Sequence, residues 1–157
     1  MMRDQLLLSI KLDPNYALAH VQLGYTYARI AVFLENNPGL IEQAKQQLAI
    51  AEKLDPHWAT PAVERAWLAY HQSELVGYDK ALNEKWIGIG MGHADRALKL
   101  RPNDPDALEI RGTLEYWRWL MSLEPDQTRA AQLLAQAEQD LRGAVADREQ
   151  PFWQRID

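Results

Sequence analysis

The glycines between Ile87 and Gly92 are the part of the sequence that comes nearest to a phosphate-binding loop. A dinucleotide-binding loop has the pattern Gly-x-Gly-x-x-Gly and follows a β-strand. Here the third glycine of that pattern would fall at His93, and no strand-like alternation precedes the run. The glycines lie instead inside a predicted helix, where each costs roughly 1 kcal/mol relative to alanine. We interpret them as a small surface against which a neighbouring helix packs, and we predict no cofactor.

The side chains that most often bind metals or catalyse reactions are not arranged to do so. The four histidines, His20, His57, His71 and His93, form neither a His-x3-His nor a His-Glu-x2-His pair. No Gly-x-Ser-x-Gly motif occurs. Glu109 and Glu115 stand six apart on one predicted helix and so point away from each other, unlike a catalytic pair. The sequence therefore predicts a non-enzymatic protein with no metal site and no catalytic residue.

A short segment that occurs three times divides the chain into its elements. Its copies are Lys11–Tyr16, Lys53–Trp58 and Lys99–Asp104, each beginning with Lys-Leu and carrying proline at the fourth position. Proline cannot continue the helix behind it, and the residue before proline is disfavoured in the α region. Each copy therefore reads as a joint between two helices. A joint that recurs at a fixed place relative to its helices is typical of a solenoid.

Apolar periodicity between these joints predicts an all-α fold of antiparallel helix pairs. We expect seven helices, over about 3–12, 16–35, 40–54, 58–75, 79–100, 105–123 and 126–146. Asn15 and Asp104 are predicted to cap the second and sixth helices, because short polar side chains accept free N–H groups at helix starts. Asn36–Gly39 is a dense turn signal.

Residues 17–56 resemble the tetratricopeptide repeat. The family pattern, Trp-x2-Leu-Gly-x2-Tyr, then Ala-x3-Phe, then Pro, appears here as His20-x2-Leu23-Gly24-x2-Tyr27, then Ala44-x3-Leu48, then Pro56. The resemblance continues more loosely through the chain. It implies one α-α superhelical domain over 1–157, with a half unit at 1–14 and units at 15–56, 57–102 and 103–151. It further implies that these units belong to a longer array.

The chain departs from the family pattern in two ways. The joint prolines are 42 and 46 residues apart, whereas the family period is 34. The extra residues fall between the two helices of a unit, which predicts roughly one added turn on each helix. Arg65 and Arg111 stand where the first unit has Leu23. These charges leave the register of the second and third units open.

Aromatic residues recur on the first helix of successive units. In the repeat family these helices line an inner, concave surface that holds a peptide or a partner helix. The resemblance therefore implies a partner-binding groove formed by Tyr25, Arg29, Trp67, Tyr70, His71, Thr113, Tyr116 and Trp117. Aromatic side chains and arginine are common interface anchors. In the alternative interpretation the same rings only fill the core of long hairpins.

The resemblance implies a protein–protein interaction or scaffold module with a protein or peptide partner. The first alternative is a structural spacer or self-oligomerising segment of a larger signalling protein, and the second is an enzyme or small-molecule receptor. The repeats are also similar to helical regions attached to bacterial serine/threonine kinases, although no kinase motif occurs here. Neither end carries the polar cap that usually closes a solenoid, so we expect a homodimer or end-to-end stacking.

Composition narrows the remaining possibilities. The 157 residues are 47% hydrophobic and 25% charged, which is ordinary for a globular protein. The net charge of −5 arises in the last third, so a basic nucleic-acid-binding stripe is missing. No run approaches the about 20 apolar residues of a membrane helix. The N-terminus lacks a secretory pattern, and the sequence contains no cysteine. We therefore expect no nucleic acid or membrane partner and a cytoplasmic location.

Overall fold

The computed structural model describes residues 2–35 and 37–149, and every regular element in these ranges is a helix. The helices are α1 Met2–Leu12, α2 Ala17–Ile30, α3 Pro38–Leu54, α4 Thr60–Leu75, α5 Lys80–Leu100, α6 Pro105–Leu120 and α7 Gln127–Glu149. A π-helical segment, Ala31–Glu35, extends α2. The predicted all-α fold with seven helices is confirmed. The end of the last predicted unit lies outside the described residues.

Of the two predicted N-cap residues, Asp104 caps its helix and Asn15 does not. The carboxylate of Asp104 accepts the N–H groups of the second and third residues of α6, both at 3.0 Å. This is the predicted N-cap. The predicted cap at Asn15 is wrong, because Tyr16 occupies the capping position and its side chain makes no capping bond. The backbone N–H of Asn15 instead donates to Asp13 within the turn, at 3.0 Å.

Consecutive helices pack as pairs, and the pairs stack. The tightest pairs are α2 with α3, α4 with α5, and α6 with α7. Helix α4 also packs closely on both α2 and α6, whereas α5 reaches α3 through long side chains, Arg96 with Glu52 and Trp86 with Lys45. The first helices of the pairs therefore form the closely spaced inner row of a tetratricopeptide-like solenoid.

Glycine lies where two helices of a pair cross most closely. A Cβ atom at Gly24 would lie 2.8 Å from Cγ of Leu48 and 3.2 Å from the carbonyl oxygen of Ala44. The same arrangement occurs at Gly112, where a Cβ atom would lie 2.9 Å from Cγ of Leu141. These distances are too short for any side chain, so glycine sets the spacing of α2 with α3 and of α6 with α7.

The glycines of α5 were expected to form a helix-packing surface, but one of the three packs against another helix. Only Gly90 faces another helix closely, since a Cβ atom there would lie 2.9 Å from Cδ1 of Leu114. Gly88 and Gly92 are exposed, and a Cβ atom on either would meet nothing within 4 Å. The interpretation as a helix-packing surface therefore applies to Gly90 alone.

Arg65 and Arg111 are accommodated by buried carboxylates. Arg65 donates to Glu52, which is 8% exposed and projects from the preceding α3. Arg111 makes two bonds to Asp140 of α7, Nε to Oδ2 at 2.6 Å and Nη2 to Oδ1 at 2.9 Å. An arginine can thus replace Leu23 of the first unit because each charge has a partner from a neighbouring helix.

The N-terminal helix is the least buried element. Helix α1 contains no buried residue, and Leu7, Leu8 and Leu12 are exposed. An exposed apolar face is a common feature of protein interfaces. Self-association through this end of the solenoid stays a prediction. No helix within the described ranges is long and apolar enough to cross a membrane.

Candidate interaction groove

Four of the eight predicted groove residues line one pocket between α2 and α4. The pocket has a volume of about 370 Å³ and is lined by Tyr25, Arg29, Phe33, Glu64, Trp67 and His71. We call it the α2–α4 pocket. Its α4 residues are three and four apart, and its α2 and π-segment residues are four apart. Helical spacing of three or four places side chains on one face, so each wall is a single helix stripe.

The walls of the α2–α4 pocket are aromatic rings in mutual contact. The rings of Trp67 and His71 stack with centroids 6.0 Å apart, and Phe33 meets His71 edge-on at 5.4 Å. The guanidinium of Arg29 lies 5.5 Å from the Tyr25 centroid and 5.4 Å from the Phe33 centroid. Arg29 also donates to the Tyr25 hydroxyl at 2.9 Å. The Arg29 guanidinium therefore makes cation–π contacts with the Tyr25 and Phe33 rings.

The aromatic row continues from α4 to α6. Tyr70 contacts His71 at 5.4 Å and Trp117 edge-on at 5.8 Å. Trp117 lines a second depression of about 440 Å³, together with Glu74, Gly77, Tyr78, Leu120 and Met121. A carboxylate oxygen of Glu74 accepts a hydrogen bond from Nδ1 of His71, at 2.8 Å. The two depressions are thus joined by one continuous run of side chains.

Some of these rings also support the core. Trp67, Tyr70 and Trp117 are half-buried and pack against the cluster of buried residues between α4, α5 and α6. The indole N–H of Trp117 donates to Oδ1 of Asn83 on α5, at 3.2 Å. Burial raises the pKa of the Tyr70 hydroxyl to about 12, with a further contribution from Glu74. The core-filling interpretation therefore has support at these three positions.

Two predicted groove residues lie apart from this row. Tyr116 lines a different cavity, among Leu134, Ala137 and Leu141 of α7. Its ring contacts Trp119 with centroids 5.7 Å apart. The Thr113 hydroxyl donates to the carbonyl oxygen of Glu109 within α6, at 2.7 Å. The structure thus brings six of the eight predicted residues into one row, with Thr113 and Tyr116 outside it.

The sequence reasoning missed two residues of the α2–α4 pocket, Phe33 and Glu64. Phe33 continues the four-residue spacing of Tyr25 and Arg29, and Glu64 stands three positions before Trp67. Both could have been found from helical spacing alone. Phe33 lies in the π segment and is 59% exposed. One-turn π-helical segments are frequent at functional sites.

Glu64 is the acidic residue among those that line the α2–α4 pocket. Burial raises the pKa of its carboxyl from 4.5 to about 7, and the negative charge of Asp106 adds to the shift. The folded protein therefore holds a proton on Glu64 more tightly than the unfolded chain does. Between pH 4.5 and pH 7 the unfolded chain binds fewer protons, so the free energy of unfolding falls as the pH rises through this range.

We expect Glu64→Gln to be more stable than the wild type at pH 8, by roughly 1–3 kcal/mol. The two proteins should be almost equally stable at pH 4, where both side chains are neutral. Urea denaturation of both proteins at each pH measures the difference. Glu115 and His93 also titrate abnormally, but they are common to both proteins and cancel. A difference that does not change with pH would contradict the raised pKa of Glu64.

Comparison with known proteins adds little to this description. No protein-family model matches the chain, and no curated protein matches it. Among solved structures, the chain is similar to the crystal structure of MamA, with 19% identity over 94% of this chain and 86% of that chain and a TM-score of 0.49. The comparisons give no support to a kinase-linked setting. The helices themselves identify the fold as a tetratricopeptide-like helical solenoid.

Proposed function

We propose that this chain is a non-enzymatic interaction module that binds a segment of a protein partner along the inner row of α2, α4 and α6. The observation that carries the proposal is the continuous run of rings from Tyr25 to Trp117, which joins two depressions on the row of first helices. Such a run offers a long, rigid and largely apolar contact surface.

The chemistry of the groove suggests the chemistry of its partner. Exposed rings such as Phe33 and Tyr78 would cover apolar side chains of the bound segment. Arg29 is exposed and would pair with an acidic group of the partner, while its guanidinium stays beside the Tyr25 and Phe33 rings. The partner segment we propose is therefore apolar and carries an acidic residue near the α2–α4 pocket.

A peptide selection tests this proposal. A random peptide library displayed on phage would be selected on the full chain, and the selected peptides measured by calorimetry. Phe33→Ala and Arg29→Ala should each weaken binding by more than about 1 kcal/mol, because both side chains face the groove. Both should leave the melting temperature nearly unchanged, since neither side chain is buried.

Two further variants separate the groove from the core. Ile89→Ala changes an exposed residue of α5, which is a second helix, and should leave binding unchanged. Tyr70→Ala should lower stability as well as binding, because its ring packs on the core. If no peptide is selected and the chain only self-associates, the spacer interpretation is correct instead. Equal loss of binding in Ile89→Ala and Phe33→Ala would also contradict the groove.

A further inference from the structure

A groove with several apolar side chains runs along α7. It has a volume of about 820 Å³ and is lined by Tyr116 of α6 and by residues of α7 that include Leu134, Leu141, Arg142 and Val145. We call it the α7 groove. Val145 is 51% exposed and Leu134 is 36% exposed. Apolar side chains that lie together on a surface usually mark a place where another segment packs.

The first unit shows what covers the equivalent part of its own second helix. Leu48 of α3 corresponds to Leu141 of α7, because each supplies the atom nearest to a Cβ atom built on the glycine of its unit, Gly24 or Gly112. Leu48 is fully buried, whereas Leu141 is half-buried. The ring of Trp58 packs against the cluster that contains Leu48. A residue just beyond a joint therefore covers the second helix of the unit before that joint.

The sequence beyond α7 contains the same arrangement of proline and tryptophan. Trp58 follows the joint proline Pro56 by two residues, and Trp153 follows Pro151 by two residues. Pro151 and Trp153 lie outside the described residues, so their seat has to be inferred from the groove and from the sequence. By its place after the proline, Trp153 is the counterpart of Trp58.

The length of the chain beyond α7 allows Trp153 to reach the α7 groove. Helix α7 ends at Glu149, and Leu141 stands eight residues before this end. Eight helical residues span about 12 Å. Trp153 stands four residues after Glu149, and four residues of extended chain span at most about 14 Å. The connection is therefore long enough, and it is too short for Trp153 to reach the far end of α7.

The charges of the two parts are complementary as well. Val21 belongs to the cluster that Trp58 covers, and it stands three residues before Gly24. Glu109 stands three residues before Gly112 and so takes the place of Val21 in the third unit. Arg155 follows Trp153 by two residues and brings a positive charge to this position. Opposite charges fix the register of such a contact.

We propose that residues 151–157 bind in the α7 groove of their own chain, with Trp153 against Leu141 and Arg155 beside Glu109. The occupant is the chain's own segment because a short tether gives it an effective concentration in the millimolar range, which a second copy does not reach in dilute solution. The contact covers apolar surface of α7 and keeps other chains from it. It is separate from the α2–α4 pocket and does not depend on the proposed binding of a partner segment.

Thiol labelling of the full chain tests this contact. The sequence contains no cysteine, so one introduced cysteine reports on its own surroundings. Val145→Cys places a thiol in the α7 groove, where it should react slowly with 5,5′-dithiobis(2-nitrobenzoic acid). Adding Trp153→Ala should raise its rate by about tenfold or more, because a covered thiol reacts only while the covering segment is displaced. Arg142→Cys is a second reporter in the same groove and should respond in the same way.

Two controls make the test specific. Ile89→Cys places the thiol on α5 outside the groove, and its rate should be the same with and without Trp153→Ala. Gln154→Ala changes the neighbouring residue of the segment and should leave the Val145→Cys rate unchanged. Circular dichroism of each variant confirms that the helices are intact.

Three results would overturn the proposal. One is a rate that Trp153→Ala leaves unchanged at both groove reporters. Another is an equal increase with Gln154→Ala and with Trp153→Ala, which would exclude a specific seat for the indole ring. The third is slow labelling that is lost on dilution of the protein over about a hundredfold range, which would make a second copy the occupant.

Discussion

Replacement of Gly24 by leucine is expected to lower the free energy of unfolding by about 2–4 kcal/mol. The backbone at this position already lies so close to α3 that even a Cβ atom would be 2.8 Å from Leu48 Cγ. The same Cβ atom would lie 3.2 Å from the carbonyl oxygen of Ala44, and a backbone atom cannot move aside as a side chain can. The helices must therefore separate, and the buried contacts of Leu23 and Leu48 are lost with them.

Urea denaturation monitored by circular dichroism measures this loss, and α5 offers a matched control. Gly92 is also a helical glycine, but a Cβ atom there would meet nothing within 4 Å. Gly92→Ala should therefore raise the free energy of unfolding by about 0.5–1 kcal/mol, because alanine favours the helix. Gly24→Leu with wild-type stability would mean that α2 and α3 do not cross as closely as described.

Arg111→Met is expected to lower the free energy of unfolding by about 3 kcal/mol. The side chain of Asp140 is 3% exposed, and Arg111 supplies two of its hydrogen bonds. Without Arg111, the described donor that is left to Asp140 is Nε2 of Gln136, at 3.1 Å. A buried carboxylate would then lack its compensating charge. This expected loss is at the lower end of the range for removing one partner of a buried ion pair, because the Arg111 side chain is 24% exposed.

Two variants distinguish a buried pair from a surface pair. Arg142 pairs with Glu138 on the surface, where the side chain of Arg142 is 78% exposed and that of Glu138 is 61% exposed. Arg142→Met should therefore lower the free energy of unfolding by at most about 0.5 kcal/mol. The double variant Arg111→Met with Asp140→Leu should recover most of the stability, since the unpaired charge is gone. Equal losses in Arg111→Met and Arg142→Met would show that burial does not strengthen the Arg111 pair.

The sequence by itself determined the helices and their order. Proline has a fixed φ angle and no N–H group, so the three joints end the helices that precede them. Apolar residues at helical spacing select the buried face of a helix that has a packing partner, so Leu23 and Leu48 are buried as their pattern predicts. Gly24 occupies the glycine position of the family pattern, and α3 packs closely against it in the structure. These features depend on residues that are near one another in the chain, so they can be predicted from the sequence alone.

The groove could be predicted only in part. Alignment of the units, which the family resemblance implied, grouped Tyr25, Arg29, Trp67 and His71. These four residues stand at helical spacing on α2 and α4 and line one pocket. Phe33 and Glu64 follow the same spacing and were overlooked. Tyr116 was assigned by alignment of units, whereas in the structure it lines a cavity with residues of α7. Its environment depends on how α6 and α7 pack, which the spacing within α6 does not specify.

Only the tertiary structure decided which charges are buried together. Arg65 and Glu52 are 13 positions apart, and Arg111 and Asp140 are 29 apart. No local pattern links such residues, so two arginines at leucine positions looked like faults in the register. The depression lined by Glu115 of α6 and Arg129 of α7 is of the same kind, because its two sides come together only when the helices are paired. Backbone conformation and apolar periodicity are local and can be read along the chain. Burial and charge pairing depend on the distance between helices, which the sequence does not state.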